Sequence, residues 1–225
     1  MNKNLKSTII IYVMKKAMTI VYQEWDGVYI NLTNRCPCNC TFCIRQSSKN
    51  EFDNVETLWL EKEPTSKEVI DELKKWDLNS GKYKEVIFCG YGEPTEALDT
   101  LLEVADYVKS VCNLPIRINT NGLGNLVNKK DITPLLKGRI DAVSISLNSS
   151  DKKIYTDTVR PAPIYKDNAF EGMLDFAKKA AKYVPNVTLS TVDTTITHED
   201  EENCRNLCKS LGVKYRIREY EEIED

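Results

Sequence analysis

The stretch from Val28 to Cys43 reads VYINLTNRCPCNCTFC and carries the most information about the fold. It runs from an apolar, strand-like segment into Cys36, Cys40 and Cys43, which are spaced C-x3-C-x2-C. Three thiolates on one short loop can hold three irons of a four-iron cluster and leave the fourth iron open to a ligand. A structural zinc site would need four closed ligands, and no second cysteine pair with that spacing follows. The spacing therefore favours an iron–sulfur cluster with one open position.

A second motif, GYGEPT, occupies Gly90 to Thr95 directly after the apolar segment EVIFC. Together with the three cysteines, and with Phe42 just before the last of them, it resembles the signature of the radical S-adenosylmethionine (radical SAM) superfamily. In that family the second motif usually reads GGEP, so Tyr91 stands where glycine is common. The difference concerns only the local shape of the loop.

The resemblance implies two cofactors, a [4Fe–4S] cluster and SAM. The three cysteines of the motif would hold the cluster, and its open iron would bind the amino and carboxylate groups of SAM's methionine. Tyr91, Gly92 and Glu93 would contact that methionine end, while Phe42 would lie near the adenine. An electron from the cluster would cleave SAM to a 5′-deoxyadenosyl radical.

Within the superfamily the chain resembles the small proteins described as TatD-family associated. Three segments carry this similarity: Val28 to Arg45, Gly90 to Thr95, and the strand Arg216 to Tyr220. It covers nearly the whole chain from about Met18, so we divide the sequence into an N-terminal extension (1–17) and a radical SAM domain (18–225). The subgroup resemblance leaves the substrate open.

Strand-like segments alternate with amphipathic helical segments from Val28 onward, at intervals of about 30 residues, a pattern typical of parallel strands with right-handed crossovers. Six such units match the α/β fold that the resemblance implies, a radical SAM partial TIM barrel of (βα)6 form. A closed eightfold barrel would typically need about 250 residues. An N-terminal β-hairpin is predicted around Asp26-Gly27, a dipeptide typical of type I′ turns. Residues 44–64 show no period and predict a long loop that acts as a lid or a binding segment.

Two helix starts carry the pattern of a capping box, Thr65 with Glu68 and Asn168 with Glu171. A further short helix is predicted near 132–136. The lone histidine, His198, lies at the expected start of the last helix and is interpreted as a cap or a surface residue. Acid–base catalysis centred on histidine is therefore not expected.

Other polar residues follow predicted strands, where the active groups of such barrels gather. Thr120 and Asn121 belong to a segment that resembles the TNG segment beside SAM in several subfamilies, although a simple turn explains it equally well. Ser146 and Asn148 match positions that bind the ribose, provided that their strand face lines the barrel. Arg160 resembles an arginine that pairs with SAM's carboxylate, and a solvated surface arginine is the alternative.

Arg216 and Arg218 end the last predicted strand. They could hold a substrate anion there, or they could form ordinary surface ion pairs. The sequence leaves both interpretations open.

The remaining cysteines are expected to play no part in the cluster. Cys204 and Cys208 share one face of the last helix and are interpreted as small buried hydrophobes. Cys112 closes a helix, and Cys89 is expected to be a buried strand residue. Cys38 is separated from Cys40 by one residue, which gives the wrong geometry for a ligand pair.

Composition bounds the cellular setting. The chain has 225 residues and a net charge of −3, so we expect one domain and find no global basic field that would attract nucleic acid. Eight cysteines behind no clear signal peptide favour reduced thiols in the cytoplasm, and the cluster would need anaerobic conditions. The apolar run at 8–14 is too short to span a membrane.

These observations predict an oxidoreductase of the radical SAM type that abstracts hydrogen from an unidentified substrate. A glycyl-radical-enzyme activating protein and a small-molecule mutase or nucleobase-modifying enzyme are alternatives within the class. A zinc or redox-sensing protein is the alternative outside it. A reductant such as flavodoxin or ferredoxin is expected, and because no accessory domain is visible we expect a peptide or protein substrate, or a homodimer, to cover the barrel.

Overall fold

The computed structural model describes residues 17–46 and 57–219, and within this part of the chain seven strands form one sheet in chain order. β1 is antiparallel to β2, and every later strand is parallel to the one before it. The strands are β1 Val21–Glu24, β2 Gly27–Ile30, β3 Glu85–Phe88, β4 Ile116–Thr120, β5 Ala142–Ser146, β6 Asn186–Val192 and β7 Lys214–Arg218. The predicted hairpin followed by the six parallel strands of a partial barrel is therefore confirmed.

In the same described part, α-helices connect the parallel strands, with short 3-10 turns at Ile44–Gln46, Pro94–Ala97 and Thr133–Leu136. The α-helices are α1 Ser66–Leu73, α2 Leu98–Val111, α3 Gly124–Val127, α4 Lys152–Val159, α5 Ala169–Ala180 and α6 His198–Leu211. The sequence pattern did not predict α3 or α4. Asp151 is the N-cap residue of α4, and its carboxylate accepts a 2.8 Å hydrogen bond from the Ile154 amide.

The hairpin turn lies one residue earlier than the Asp26-Gly27 pattern indicates. Glu24 pairs with Gly27, so the two turn residues are Trp25 and Asp26, and Trp25 has φ 47°. Gly27 is the first residue of β2, where a Cβ atom would stand 2.5 Å from Cδ1 of Ile87. Gly27 is therefore a strand residue packed against the ends of the Ile87 and Tyr29 side chains, and not a turn residue.

The two faces of the sheet differ in what covers them. Val143 and Ile145 are fully buried in the main core together with Met173 of α5, so their side of β5 faces the helices. Ser144 and Ser146 lie on the opposite side and are half-buried. We call this side the inner face, and its serines lie there as the resemblance requires.

Part of the predicted 44–64 loop covers the first strands of the inner face. Leu58 is buried in a cluster with Tyr22, Tyr29, Ile87 and Tyr91. The adjoining backbone pairs with Ala17, which donates to the carbonyl of Trp59 and accepts from Glu61. The centre of that loop, 47–56, and the proposed extension apart from its last residue lie outside the described residues.

One helix cap follows the sequence prediction and one does not. Thr65 and Glu68 form the expected capping box at α1. Asn168 occupies the N-cap position of α5 but its side chain makes no capping hydrogen bond, and Glu171 instead pairs with Lys152 at 2.7 Å. In the part of the chain that the structure describes, the helices are all too short or too polar to cross a membrane.

Candidate active site

The three motif cysteines lie on a loop that starts just beyond the carboxyl end of β2. Backbone bonds tie this loop to the chain after α4: the Asn39 amide donates to the carbonyls of Val159 and Arg160, and the Thr41 amide donates to Thr158 at 2.9 Å. The Ala162 amide donates back to Pro37 at 2.8 Å. Segments far apart in sequence therefore fix the position of the cysteine loop.

Arg45 braces the same loop from its other side. Its guanidinium donates to the carbonyls of Asn34 and Cys38 at 3.3 and 3.2 Å. It also lies 5.7 Å from the centre of the Trp59 ring. A fixed cation next to several thiols favours their deprotonated form, which is the form that binds metal.

The thiols differ in exposure and in pKa. Cys36, Cys40 and Cys43 are half-buried, whereas Cys38 is buried. A hydrogen bond with the Cys38 thiol lowers the pKa of Cys36, and the same bond raises the pKa of Cys38. Burial raises the pKa of Cys40 to about 12, with further contributions from Cys36 and Cys43, so these three thiols lie close enough to influence one another.

As they stand, no three cysteine, histidine or acidic side chains among the described residues are arranged to hold a metal ion. Metal sites of this kind commonly take their final shape only around the metal. The donor set nevertheless fits an iron–sulfur cluster, because soft thiolates on one loop are its usual ligands.

The Gly90 to Thr95 segment packs directly against the cysteine loop. A Cβ atom on Gly92 would overlap the carbonyl oxygen of Thr33, and the Glu93 amide donates to Arg35 at 2.8 Å. Tyr91 is buried, and its ring lies 5.2 Å from that of Trp59. The side chain of the residue that departs from the usual motif therefore packs in the aromatic cluster.

Glu93 is 3% exposed and links this segment to the end of β4. Its Oε1 atom accepts from the Thr95 amide, the Thr95 hydroxyl and the Thr120 hydroxyl, and its Oε2 atom accepts from the Asn121 amide at 2.8 Å. Burial raises the pKa of the Glu93 carboxyl, while these hydrogen bonds oppose the shift. Each carboxylate oxygen has two acceptor positions, and Oε2 accepts only the Asn121 bond, so its second position is the one open to a ligand.

Asn121 joins β4 to the cysteine loop. Its Nδ2 atom lies 3.8 Å from the Cys36 sulfur, and its Oδ1 atom accepts from the Leu123 amide at 2.8 Å. The side chain therefore closes a local turn and also contacts the first motif cysteine, while its contact with SAM stays a prediction.

Two buried polar atoms near this region have no hydrogen-bond partner among the described residues. Asn148 follows β5 with φ 65°, is 6% exposed, and leaves its Nδ2 atom unpaired. Tyr155 on α4 is fully buried with an unpaired hydroxyl. Burial raises the pKa of this hydroxyl, and the nearby Cys38, Cys40 and Glu93 groups raise it further. Unpaired buried donors are costly, so their presence indicates a polar ligand that would satisfy them.

Phe42 and Arg160 lie at the exposed edge of the same site. Phe42 is 42% exposed on the cysteine loop. Arg160 ends α4 in the left-handed conformation with φ 48°, and its carbonyl accepts from the Asn39 amide. Its exposed side chain makes no contact that decides between SAM binding and a solvated role.

Other candidates lie elsewhere in the molecule. His198 is exposed in the first turn of α6 and bonds to Glu201, so the surface interpretation is confirmed, while Thr197 is the N-cap residue and accepts from the Asp200 amide. Cys204 and Cys208 are buried on the side of α6 that packs against the core, and Cys112 is buried after α2. This confirms the structural interpretation of all three. Cys89 is only half-buried and lies beside the aromatic cluster, so the expectation of a fully buried residue is wrong.

Sequence inspection missed the contacts that hold the site together. The pairing of the cysteine loop with the chain after α4 leaves no pattern in the sequence, because backbone atoms make it. Arg45 could have been singled out as a lone cation just after the cysteines. Glu93 accepts hydrogen bonds from Thr95, Thr120 and Asn121 because it is buried among them, and the motif does not reveal this burial.

A comparison with known protein families covers the residues of this candidate site. The family model of the radical SAM superfamily matches residues 30–209, which include the cysteine loop, the Gly-Glu segment and the strands between them. No curated protein sequence matches the chain.

Solved structures share the fold at low sequence identity. SuiB of Streptococcus suis bound to the precursor peptide SuiA matches with a TM-score of 0.62 and 18% identity over 86% of this chain and 39% of SuiB. A radical SAM methyltransferase from Sphaerobacter thermophilus matches with a TM-score of 0.61 and 12% identity over 90% and 69% of the two chains. The hydrogenase maturase HydG of Carboxydothermus hydrogenoformans matches with a TM-score of 0.57 and 18% identity over 87% and 44%. The chain thus spans about two fifths of SuiB and a larger share of the methyltransferase.

Proposed function

Because the chain belongs to the radical SAM superfamily, whose members are enzymes that use a [4Fe–4S] cluster and SAM, we propose that it cleaves SAM reductively and abstracts a hydrogen atom from a substrate. The observation that carries the proposal is the convergence of three motifs at the carboxyl ends of β2, β3 and β4. Asn121 reaches Cys36, Glu93 bonds to Asn121, and Gly92 packs on the cysteine loop. Segments that would be unrelated in a structural zinc protein here form one site.

Cys36, Cys40 and Cys43 are the residues that would hold the cluster, whose reduced form supplies the electron that breaks a carbon–sulfur bond of SAM. Cys38 is buried and directs its thiol to Cys36, so it is assigned a supporting role. Arg45 holds the loop and offsets the negative charge of the thiolates.

The polar rim around the cysteines would hold SAM. We assign the methionine end to the backbone of Tyr91 and Gly92, which face the cysteine loop, and to the remaining acceptor position of Glu93. Contacts elsewhere on SAM are assigned, as the resemblance implies, to Phe42, Thr120, Asn121, Ser146, Asn148 and Arg160. The unpaired Nδ2 atom of Asn148 is the strongest of these, because a ligand oxygen would remove its desolvation penalty.

The substrate side of the site favours a large or a paired partner. The β1–β3 half of the inner face is covered by Leu58 and Tyr91, whereas Ser144 and Ser146 remain half-buried and Arg216 is exposed. SuiB, which shares the fold, is bound to a precursor peptide in its structure. We propose a peptide or protein substrate, or a second copy of the chain, as the cover, with a flavodoxin or ferredoxin as reductant in an anaerobic cytoplasm.

The finer resemblance to TatD-associated proteins remains part of the proposal. It rests on the segments Val28 to Arg45, Gly90 to Thr95 and Arg216 to Tyr220. It does not name a substrate.

The proposal is tested by measuring 5′-deoxyadenosine after anaerobic reconstitution with iron and sulfide, with dithionite as the electron source. The wild type should form it from SAM, and a Cys40→Ala variant should not, while Cys112→Ala, which removes a buried thiol outside the site, should keep the activity. Absence of 5′-deoxyadenosine from protein that carries a full cluster would contradict the proposed function. Stoichiometric zinc in place of iron would support the zinc or redox-sensing alternative.

A further inference from the structure

The inner face of the last four strands is cationic although the chain as a whole is acidic. Arg117, Lys214, Arg216 and Arg218 stand at inner-face positions of β4 and β7, where alternation along each strand places them. Ser144 and Thr188 add hydroxyl groups between them. A positively charged surface next to the low-dielectric protein interior has a strengthened electrostatic potential, which attracts anions.

A cavity of about 80 Å³ lies on this surface. Its polar lining comes from Arg117, Ser144, Thr188 and Arg216, and the rest comes from the start of β5. Four different strands therefore contribute to one small space in which a few polar groups converge. It lies one inner-face position below Ser146, which we assign to SAM.

Two cations line the cavity, and one of them has no acidic partner among the described residues. Arg117 is neutralised by Glu85, with two contacts of 2.9 and 2.7 Å, and is further held by Asn119 at 2.6 Å. Arg216 makes only a 3.5 Å hydrogen bond to the Ser144 hydroxyl, and it forms no ion pair within the described residues. Arg216 is therefore the side chain whose charge would be met by a ligand.

We propose that this cavity is a carboxylate-binding subsite centred on Arg216. A guanidinium matches a carboxylate with two parallel hydrogen bonds, and the hydroxyls of Ser144 and Thr188 can donate to the same oxygens. Arg216 is the one cation in the cavity lining without an acidic partner among the described residues, and a monoanion such as a carboxylate matches its single charge. That this carboxylate belongs to the substrate, as a metabolite acid or an acidic group of a peptide, rests on the proposed function.

Anion binding can be measured by NMR on the full chain without cluster or SAM. Sodium acetate is titrated into protein labelled with ¹⁵N, with sodium chloride holding the ionic strength constant, and acetamide serves as the uncharged analogue. The Nε–Hε signal of Arg216 should shift and saturate with acetate, and acetamide should leave it unchanged. Inorganic phosphate is titrated in parallel.

The decisive variants are Arg216→Gln and a matched control, Arg205→Gln. Arg205 lies on α6 at the helix-covered side, where it stacks 5.4 Å from the Tyr215 ring, so its substitution removes the same charge away from the cavity. Arg216→Gln should weaken acetate binding at least about tenfold, whereas Arg205→Gln should leave it unchanged. Because Arg216 is exposed, its substitution should not disturb folding, which the remaining amide signals verify.

Equal acetate affinity in the wild type and Arg216→Gln would overturn the subsite, and so would tighter binding of phosphate than of acetate. Neither result would bear on SAM cleavage, since the titration involves neither cofactor. Conversely, loss of 5′-deoxyadenosine formation would leave the measured anion affinity intact and would remove only its assignment to a substrate.

Discussion

The loop after β2 presents Cys36, Cys40 and Cys43 half-buried at the edge of the sheet, whereas α6 buries Cys204 and Cys208 completely against the core. Burial raises the pKa of Cys40 and of Cys204 alike to about 12, so the two groups differ in exposure and in backbone setting and not in thiol pKa. The comparison shows that the surroundings of a thiol, and not the residue type, decide whether it is a ligand or a piece of the core.

The two groups also differ in what holds their backbone. Helical hydrogen bonds fix the α6 cysteines, and their spacing of four places both on one buried face. The loop cysteines depend on backbone bonds to the chain after α4 and on Arg45. A loop held by a few backbone bonds, and not by a helical ladder, can adjust around a bound cluster more readily than a buried helix face.

The largest expected effect is the loss of the cluster when one loop thiol is removed. Cys40→Ala should lower the iron content after anaerobic reconstitution from about four per chain to nearly none, because two thiolates are too few to retain it. Cys208→Ala, the matched change in α6, should keep the full content. Equal iron in both variants, measured together with acid-labile sulfide, would remove the distinction between the two groups.

The second expected effect concerns SAM. Glu93→Gln replaces an acceptor by an amide that points a donor at the Asn121 amide or at the Thr95 and Thr120 groups. We expect SAM affinity to fall at least about tenfold in anaerobic titration calorimetry, with cluster content unchanged. If this variant bound SAM with the affinity of the wild type, the hydrogen bonds accepted by Glu93 would not contribute to the SAM site.

A smaller effect is expected on stability. Cys208→Ser places a hydroxyl in an apolar pocket and should lower the free energy of unfolding by about 1–3 kcal/mol in urea titrations of the apoprotein. Cys43→Ser, at a half-buried loop position, should change it by less than about 0.5 kcal/mol. If the loop substitution proved the more costly of the two, the loop cysteines would have to be counted as core.

The smallest effect is expected at Cys38, the cysteine of the loop that is not assigned as a ligand. Cys38→Ser should keep the iron content and the visible absorption of the cluster, since its thiol contacts Cys36 and is buried away from the rim. Loss of the cluster in Cys38→Ser together with its retention in Cys40→Ser would reverse the ligand assignment.

Features with a periodic pattern or a known local sequence motif could be predicted from the sequence. The alternation of strands and helices predicted the six parallel strands, and the Thr65 capping box predicted the start of α1. The hairpin was predicted with its turn one residue too late, because Gly27 pairs with Glu24 as the first residue of β2 and Trp25 takes the positive φ of the turn.

The contacts that build the site were beyond sequence inspection for a physical reason. Tyr91 was assigned to the SAM loop by its place in a motif, yet its ring packs on Trp59, a residue that only the fold brings near. The role of Glu93 as a buried link to β4 also depends on tertiary contacts. Helix α4 was missed because its short sequence, KKIYTDTV, mixes β-branched and charged residues that weaken the helical pattern.

The most direct test of the central claim is electron paramagnetic resonance of the dithionite-reduced, reconstituted protein before and after addition of SAM. A cluster held by Cys36, Cys40 and Cys43 has one open iron, so SAM should change the g values of the reduced [4Fe–4S] signal in the wild type and in Cys204→Ala alike. A reduced cluster whose spectrum is unchanged by saturating SAM would contradict the account.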